Sequence, residues 1–325
     1  MKTIKHYNYK EIILNEEFDL YEKREYLEYR KNWNEYPKQR FVSDYPINLD
    51  INVTNRCNLK CIMCCRTKFA ERGEEKRPED IDLKLYKKII DESAKEGVFA
   101  VHLTGDGEPL LHKNIIEIIE YAGRKNILDI FMNTNATLLD EDMSRAILDA
   151  GLTRLIISFD SPEKSIYETI RVGAEYEKVI ENVRRFAKMK NGLKYPIIRV
   201  QMVKMSLNKQ EVDEYIKLFS PLVDVIGFTE YINYFNLDDG SKEINEKKYH
   251  DGFVCYDLWR RMTVDVDGGV YACVPMPEAL YLGDVHKQTI KDLWHSQRMN
   301  EMRRLYNENN LSCLKEICTC GIQWK

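Results

Sequence analysis

Three cysteines near the start of the chain carry the strongest chemical signal in the sequence. Cys57, Cys61 and Cys64 lie within the eight-residue stretch CNLKCIMC. Cysteine thiolates carry iron–sulfur clusters, and a complete four-iron cluster normally takes four of them, so a compact group of three predicts one iron without a protein ligand. An open metal position is typical of catalytic rather than structural sites. Zinc-binding or simply buried thiols are the alternative that this spacing leaves open.

The same motif also resembles that of a known enzyme family. The spacing Cys-x3-Cys-x2-Cys, with Met63 directly before the last cysteine, is similar to the cluster motif of the radical S-adenosylmethionine (radical SAM) enzymes. The resemblance implies that SAM chelates the open iron and that an electron from the reduced cluster yields a 5′-deoxyadenosyl radical. That radical takes a hydrogen atom from an unactivated carbon, so the cofactor carries the reaction. An electron donor such as flavodoxin or ferredoxin is implied as a partner.

Composition narrows the class of protein. The chain has 325 residues, 31% of them charged, and a formal net charge of −4, which gives no electrostatic reason to expect nucleic acid or an anionic membrane as a partner. The sequence begins without a long apolar segment and has no run of about 18 apolar residues. Nine cysteines, an odd number, are grouped in a way that favours metal-bound thiolates over disulfides. We therefore expect a cytoplasmic protein.

Short apolar runs alternate with amphipathic stretches through the middle of the chain. The runs are 47–53, 99–105, 128–133, 153–159, 197–203 and 223–228, and the amphipathic stretches lie near 82–96, 112–125, 140–150, 175–190 and 208–219. Strands in strict alternation with helices predict a parallel sheet with right-handed crossovers. Six strands are two short of a full barrel, so the predicted fold class is α/β, a partial (β/α)6 TIM-like barrel.

The remaining segments suggest a division into four parts. Residues 1–45 are predicted to form a polar, helical lead-in, 46–233 the barrel, 234–254 a polar linker, and 255–325 a small C-terminal α+β domain.

Polar residues and glycines follow the later strands at the end where ligands of parallel α/β folds bind. The resemblance implies that they contact SAM. The GDGEP segment would bind its ammonium group, and the NTN and SFDS segments would contact its ribose and methionyl groups. Arg171 would pair with its carboxylate. The candidate contacts are Met63, Gly105, Asp106, Gly107, Glu108, Asn133, Asn135, Ser158, Asp160, Arg171 and Gln201. Asp106 departs from the GGEP that the family usually has. The alternative for GDGEP is a plain turn. The alternatives for Gln201 are a polar group of the core or a substrate contact.

Five further cysteines follow the polar linker. Cys255 precedes, and Cys273 ends, two β-like runs around Asp267-Gly268, which predict a hairpin. Together with the segment GDVHKQTIKDLW, these cysteines resemble the SPASM/twitch extension of radical SAM enzymes, which implies one auxiliary [4Fe–4S] cluster. The implied ligands are Cys255 and Cys273 with Cys318 and Cys320, or with Cys313 in place of one of the last two. A structural zinc site is the alternative.

Three hypotheses for function follow. The first is dehydrogenation or epimerisation of a small polyhydroxylated substrate, such as a sugar, nucleotide sugar or aminocyclitol, because carbinol dehydrogenases of the family use a single auxiliary cluster. The second is modification of a peptide or protein, and the third a non-enzymatic iron–sulfur or zinc protein. Cys65 is either an inert thiol or a hydrogen-atom donor, and Arg199, Glu230 and Tyr231 are candidate substrate contacts by position alone.

Overall fold

One twisted sheet of eleven strands organises the computed structural model of the chain. The structure describes residues 2–6, 9–15, 23–74, 76–77, 79–231, 255–274, 276 and 278–308. The strands are β1 Lys2–His6, β2 Tyr9–Ile13, β3 Asn48–Asn52, β4 Ala100–Thr104, β5 Asp129–Thr134, β6 Arg154–Ser158, β7 Ile197–Lys204, β8 Val225–Glu230, β9 Arg261–Val264, β10 Gly269–Tyr271 and β11 Tyr281–Asp284. Their order in the sheet is β1-β2-β8-β7-β6-β5-β4-β3-β9-β10-β11.

The six central strands, β3 to β8, are parallel and follow chain order, which confirms the predicted α/β partial barrel. The helices are α1 Arg24–Gln39, α2 Cys65–Glu71, α3 Leu83–Lys95, α4 Ile115–Arg124, α5 Glu141–Ala150, α6 Lys164–Ile170, α7 Tyr176–Lys190, α8 Val212–Phe219, α9 Ile290–Trp294 and α10 Gln297–Asn307. The predicted strand and helix positions in this region agree with these bounds to within a few residues. No described helix is long and apolar enough to cross a membrane.

Alternate residues of the central strands face opposite sides of the sheet. On one side, Leu49, Val101, Met132, Leu155 and Val200 are fully buried in the main apolar core, together with the inner faces of the helices. The opposite side of the same strands, which we call the inner face, carries polar residues instead, Asp50, His102, Asn133, Arg199 and Gln201 among them. The barrel interior is thus a polar surface built on an apolar shell.

Helix α1 covers the N-terminal ends of the strands. Its Tyr26 and Tyr29 are almost fully buried and pack with the strand-end residues Ile47, Ala100 and Ile197 in a second apolar cluster. The barrel interior is therefore covered at this end and reached from the carboxyl ends of the strands.

The first residues correct the predicted helical lead-in. Residues 2–6 and 9–13 form the antiparallel strands β1 and β2, and β2 pairs antiparallel with β8, so that Glu11 lies beside Gly227. The β-branched residues Thr3, Ile4, Ile12 and Ile13 suit strands. The helical expectation rested on residues further along, where α1 does form. These two strands extend the barrel sheet beyond the predicted six.

The C-terminal part begins with the predicted hairpin, β9 and β10, around Asp267 and Gly268. Strand β9 also pairs in parallel with β3, which was not predicted, so this hairpin continues the barrel sheet. Thr289 caps α9 in a capping box with Asp292, and Ser296 separates α9 from α10, whose N-cap it is. The predicted linker, 234–254, and the cysteines at 313, 318 and 320 lie outside the described residues.

Candidate active site

The loop with the three cysteines begins where β3 ends, at the mouth of the barrel. It is tied to the segment after α6 by backbone hydrogen bonds from Lys60 to the carbonyl of Val172, 2.9 Å, and from Ile62 to that of Ile170, 3.0 Å. The amide of Cys64 donates to the carbonyl of Cys61, 3.1 Å, which turns the loop into α2. Backbone contacts thus hold the loop in place before any metal binds.

The three thiols are buried or half-buried. Burial raises the pKa of Cys57 and, although the nearby Arg171 guanidinium opposes it, raises the pKa of Cys61 to about 11. A hydrogen bond from Cys65 lowers the pKa of Cys64 and raises that of Cys65. Each of the three thiols lies close enough to affect the pKa of another. Cys57, Cys61 and Cys64 fit a cluster with one open iron, and cluster binding would displace the protons of these thiols.

Glycines let the GDGEP loop, after β4, lie directly against the cysteine loop. A Cβ on Gly107 would be 2.3 Å from the carbonyl oxygen of Arg56, a separation that no side chain tolerates. Gly105 has φ +154° and would place a Cβ 3.0 Å from the side chain of Asn52. The amide of Glu108 donates to the same Arg56 carbonyl, 2.7 Å. These glycines therefore allow the backbone of the GDGEP loop to lie close to the cysteine loop, as well as to any ligand.

Glu108 is fully buried, and protein groups occupy both carboxylate oxygens. Oε1 accepts hydrogen bonds from the Thr134 hydroxyl, 2.6 Å, and the Leu110 amide, 3.2 Å, while Oε2 accepts from the Asn135 amide, 2.7 Å. Burial raises the pKa of Glu108, against these donors. This carboxylate links the loops that follow β4 and β5, so its role here is to position neighbouring residues.

The two asparagines of the NTN segment have different neighbours. Asn135 is buried, donates to the side chain of Asn58 in the cysteine loop, 3.0 Å, and accepts from the Thr137 amide, 2.9 Å. Asn133 lies on the inner face, where its Oδ1 is 2.9 Å from Nε2 of His102. Asn135 therefore supports the cysteine loop, whereas Asn133 belongs to the barrel interior.

Arg171 and Asp160 form a buried ion pair beside the cysteines. The guanidinium Nε donates to Asp160 Oδ2, 2.7 Å, and Nη1 lies 3.9 Å from the sulfur of Cys61. Asp160 also accepts the amide of Val203, 2.8 Å. The pair brings a cation to the cluster loop, a suitable place for a SAM carboxylate, with its orientation already set by Asp160.

The other candidates surround this pair. Ser158 ends β6 on the inner face, and Gln201 beside it donates to the Thr229 hydroxyl, 2.6 Å, and accepts from Arg199. Met63 packs against the apolar residues next to the loop. Burial, together with the charges of Asp265 and Cys64, raises the pKa of Asp106 to about 7. All these side chains lie around the carboxyl ends of β3 to β7.

Sequence reasoning missed a polar network deeper in the barrel. Asp50, fully buried on β3, accepts from Nδ1 of His102, 2.8 Å, and lies 3.3 Å from the guanidinium of Arg261 on β9. The imidazole stacks on Phe131, whose other face is covered by Arg154. The sequence signal was a charged or polar residue at the central position of each strand, Asp50 in β3 and His102 in β4, and their contact depends on strand register.

Of the C-terminal cysteines, the structure describes two. Cys255 directly precedes a short 3₁₀ turn, Tyr256–Trp259, and Cys273 follows β10; both are half-buried against the main core. Their neighbour Arg261 has an Nε–H without a hydrogen-bond partner among the described residues. Two thiols beside an unsatisfied donor fit part of an iron–sulfur site, because cluster sulfurs accept such hydrogen bonds. Within the same residues, no three His, Cys, Asp or Glu side chains converge as ligands of a single metal ion.

Comparison with known families decides the class of this arrangement. Residues 51–219, more than half of the chain, match the model of the radical SAM superfamily. The chain belongs to the radical SAM superfamily. Residues 255–321 match SPASM, an iron–sulfur cluster-binding domain. This radical SAM protein therefore uses a [4Fe–4S] cluster with SAM and carries an auxiliary iron–sulfur domain, as predicted.

Curated relatives share part of the chain. The probable GTP 3′,8-cyclase of Methanocaldococcus jannaschii is 29% identical over 209 residues, 62% of this chain and 66% of that protein. The GTP 3′,8-cyclase of Clostridium botulinum is 31% identical over 209 residues, 63% of this chain and 60% of that protein. The matched part thus spans less than two thirds of the length of either relative.

Solved radical SAM structures share the fold. BtrN in complex with AdoMet and 2-DOIA has a TM-score of 0.55 at 16% identity, covering 84% of this chain and 91% of that one. Streptococcus suis SuiB bound to precursor peptide SuiA has a TM-score of 0.64 at 14% identity, covering 86% and 71%. Native anSMEcpe with bound AdoMet has a TM-score of 0.60 at 18% identity, covering 78% and 82%.

Proposed function

We propose that this radical SAM enzyme removes a hydrogen atom from a hydroxyl-bearing carbon of a small polyhydroxylated substrate and thereby dehydrogenates or epimerises it. The observation that carries the proposal is the polar inner face of the barrel. Its side chains alternate donors and acceptors, the pattern that recognises hydroxyl groups, and they lie below the cysteine loop rather than on the outer surface.

The residues around the loop have distinct tasks in this proposal. Cys57, Cys61 and Cys64 would hold the cluster, and the Arg171–Asp160 pair and the GDGEP backbone would orient SAM. When bound, cluster and SAM together supply a carbon-centred radical that no side chain can supply. Buried Glu108 keeps the loops that follow β4 and β5 in register. These groups bind and orient the cluster and SAM, and they exclude water from the reacting carbon.

The inner face would orient the substrate. His102, fixed by Asp50, presents Nε2 beside Asn133, and a substrate hydroxyl that replaces this contact would be held by an imidazole of set orientation. Further around the barrel, Gln201 and Thr229 form a second donor–acceptor pair, 2.6 Å apart. A ring with hydroxyls on both sides could bind the two pairs at once.

A second candidate is cyclisation of a purine nucleotide. The named relatives are GTP 3′,8-cyclases, and their similarity extends over 209 residues of this chain. Arg199, on the inner face 3.4 Å from Glu11, is a cation of the kind that a phosphate group would attract. Substrate choice between a nucleotide and an uncharged sugar ring is therefore the main point to test.

Substrate-dependent formation of 5′-deoxyadenosine tests the proposal. Anaerobically reconstituted enzyme, SAM and dithionite would be incubated with UDP-glucose, an aminocyclitol, GTP or a synthetic peptide, and products identified by mass spectrometry. We expect turnover with a hydroxylated ring, and in deuterated water a solvent deuterium in the product only if the outcome is epimerisation. Turnover with the peptide alone would contradict the proposal, and cyclisation of GTP would establish the second candidate instead.

A pair of glutamine variants locates the substrate. Gln201→Leu removes an inner-face donor, whereas Gln210→Leu alters an exposed side chain that donates to the backbone carbonyl of Leu207. We expect Gln201→Leu to raise KM about tenfold, since a hydrogen bond of this kind contributes about 0.5–1.5 kcal/mol. The control variant should match the unaltered enzyme.

A further inference from the structure

Arg261 lies where the barrel meets the C-terminal cysteines. Its Nη2 donates to Asp257, 2.9 Å, two residues after Cys255, and its Nη1 lies 3.3 Å from Asp50 on the inner face. Two carboxylates on different elements therefore fix the guanidinium. Moving the guanidinium toward solvent would separate it from buried Asp50, at an energetic cost.

Strand register brings Cys273 to the same place. In the antiparallel pair β9–β10, Tyr271 is opposite Thr263, and Cys273 and Arg261 each lie two residues beyond these positions, at the same end of the hairpin. Burial opposes the charge of Arg261, but Asp257, Asp50 and, to a smaller extent, Cys273 raise its pKa. Arg261 thus contacts the surroundings of both described auxiliary-site cysteines.

Arg260, the residue before Arg261, has different surroundings. Arg260 carries the same charge but stacks between the rings of Trp33, 4.6 Å, and Tyr256, 4.5 Å. Burial lowers the pKa of Arg260 to about 10, with no cysteine among the groups that act on it. Two neighbouring guanidinium groups therefore differ in whether they face the auxiliary site.

We propose that Arg261 is a positioning residue for the auxiliary iron–sulfur cluster: its fixed positive charge and its Nε–H, which has no partner among the described residues, stabilise the reduced cluster and raise its reduction potential. The inference rests on the proposed function, since it takes Cys255 and Cys273 as ligands of that cluster. One-electron reduction adds a negative charge, which a buried cation and a donor to cluster sulfur stabilise. In dehydrogenation the added electron would be the one that leaves the substrate carbon.

The same arginine connects the auxiliary site with the barrel interior. Asp50, its second partner, accepts from His102, and His102 contacts Asn133. The chain Arg261–Asp50–His102–Asn133 therefore crosses the inner face between the two cysteine regions. An enzyme that passes an electron from substrate to the auxiliary cluster would have the fixed charges of Arg261 and Asp50 along this line.

Redox titration of reconstituted full-length enzyme, followed by electron paramagnetic resonance, tests the role of Arg261. Dithionite with redox mediators reduces the clusters, so no substrate is needed. We expect Arg261→Gln to make reduction of the auxiliary cluster about tenfold less favourable, a shift of about −59 mV for one electron. Arg261→Lys, which keeps the charge, should recover most of the shift, and Arg260→Gln should change the equilibrium less than twofold.

Several outcomes separate the inference from the proposed function. Roughly four rather than eight irons in the unaltered chain would overturn both. Eight irons with an unchanged potential in Arg261→Gln, or an equal shift in Arg260→Gln, would overturn only the role of Arg261. If Arg261→Gln does not fold, the double variant Asp50→Asn with Arg261→Gln removes the buried partner as well, and its potential should still fall. An unaltered potential there would equally contradict the role.

Discussion

The two cysteine regions are held in different ways. Cys57, Cys61 and Cys64 lie on one short loop, which backbone hydrogen bonds and close-packed glycines fix against its neighbours. Cys255 and Cys273 lie on either side of a hairpin, and strand pairing between β9 and β3 determines their place. The first site is therefore local in sequence, whereas the second depends on contacts between distant segments. Strand β3 connects them, since it leads into the cysteine loop and pairs directly with β9.

Removing one thiol of the loop should have the largest effect. Cys61→Ala leaves two thiols for the cluster, so we expect no measurable 5′-deoxyadenosine, a loss of more than about 10³-fold, because the cofactor carries the chemistry. Cys65→Ser, next to the motif, is the matched control and should keep its iron and SAM cleavage. Iron analysis and product chromatography measure both. Equal loss of iron in the two variants would mean that the loop uses a different set of thiols.

Removing a thiol of the hairpin should affect the auxiliary cluster and leave the cluster of the loop intact. We expect Cys273→Ala to lose roughly half of about eight irons while it still cleaves SAM with dithionite as reductant, because the loop site does not depend on the hairpin cysteines. Cys255→Ala should behave in the same way. Full loss of SAM cleavage in either variant would show that the second region also builds the first.

The next largest effect is expected at Gly107, where the GDGEP loop lies against the cysteine loop. Gly107→Ala forces a Cβ against the Arg56 carbonyl, so we expect a cost of about 1–3 kcal/mol in unfolding free energy and at least tenfold weaker SAM binding. Gly123→Ala, in α4, meets only a side-chain carbon at 3.9 Å and should fold and bind normally. Thermal unfolding and equilibrium dialysis with labelled SAM measure the two effects. Normal SAM binding by Gly107→Ala would show that the loops can separate without harm.

The contrast between the regions also explains what the sequence predicts. The six central strands and the loop thiols were predictable, because apolar runs, alternating helices and Cys-x3-Cys-x2-Cys are local patterns. The pairing of β2 with β8 and of β9 with β3 was not, since register between distant strands leaves no mark in either segment alone. For the same reason Asp50 and His102 appeared as separate polar residues in apolar runs. Their contact exists only through the β3–β4 register.

The smallest of these effects concerns a residue that supports the loop without touching a thiol. Glu108→Gln replaces one carboxylate oxygen by an amide that faces protein donors, so at least one of the Thr134, Leu110 and Asn135 bonds is lost. We expect a decrease of about 1–3 kcal/mol in unfolding free energy, measured with denaturant, and near-normal iron content. Glu120→Gln, an exposed residue with one ion pair to Arg124, is the control and should unfold like the unaltered chain. If Glu108→Gln loses its iron but not its stability, the carboxylate acts on the cluster loop more directly than its hydrogen bonds indicate, and the loop is less independent of its neighbours than the hairpin site.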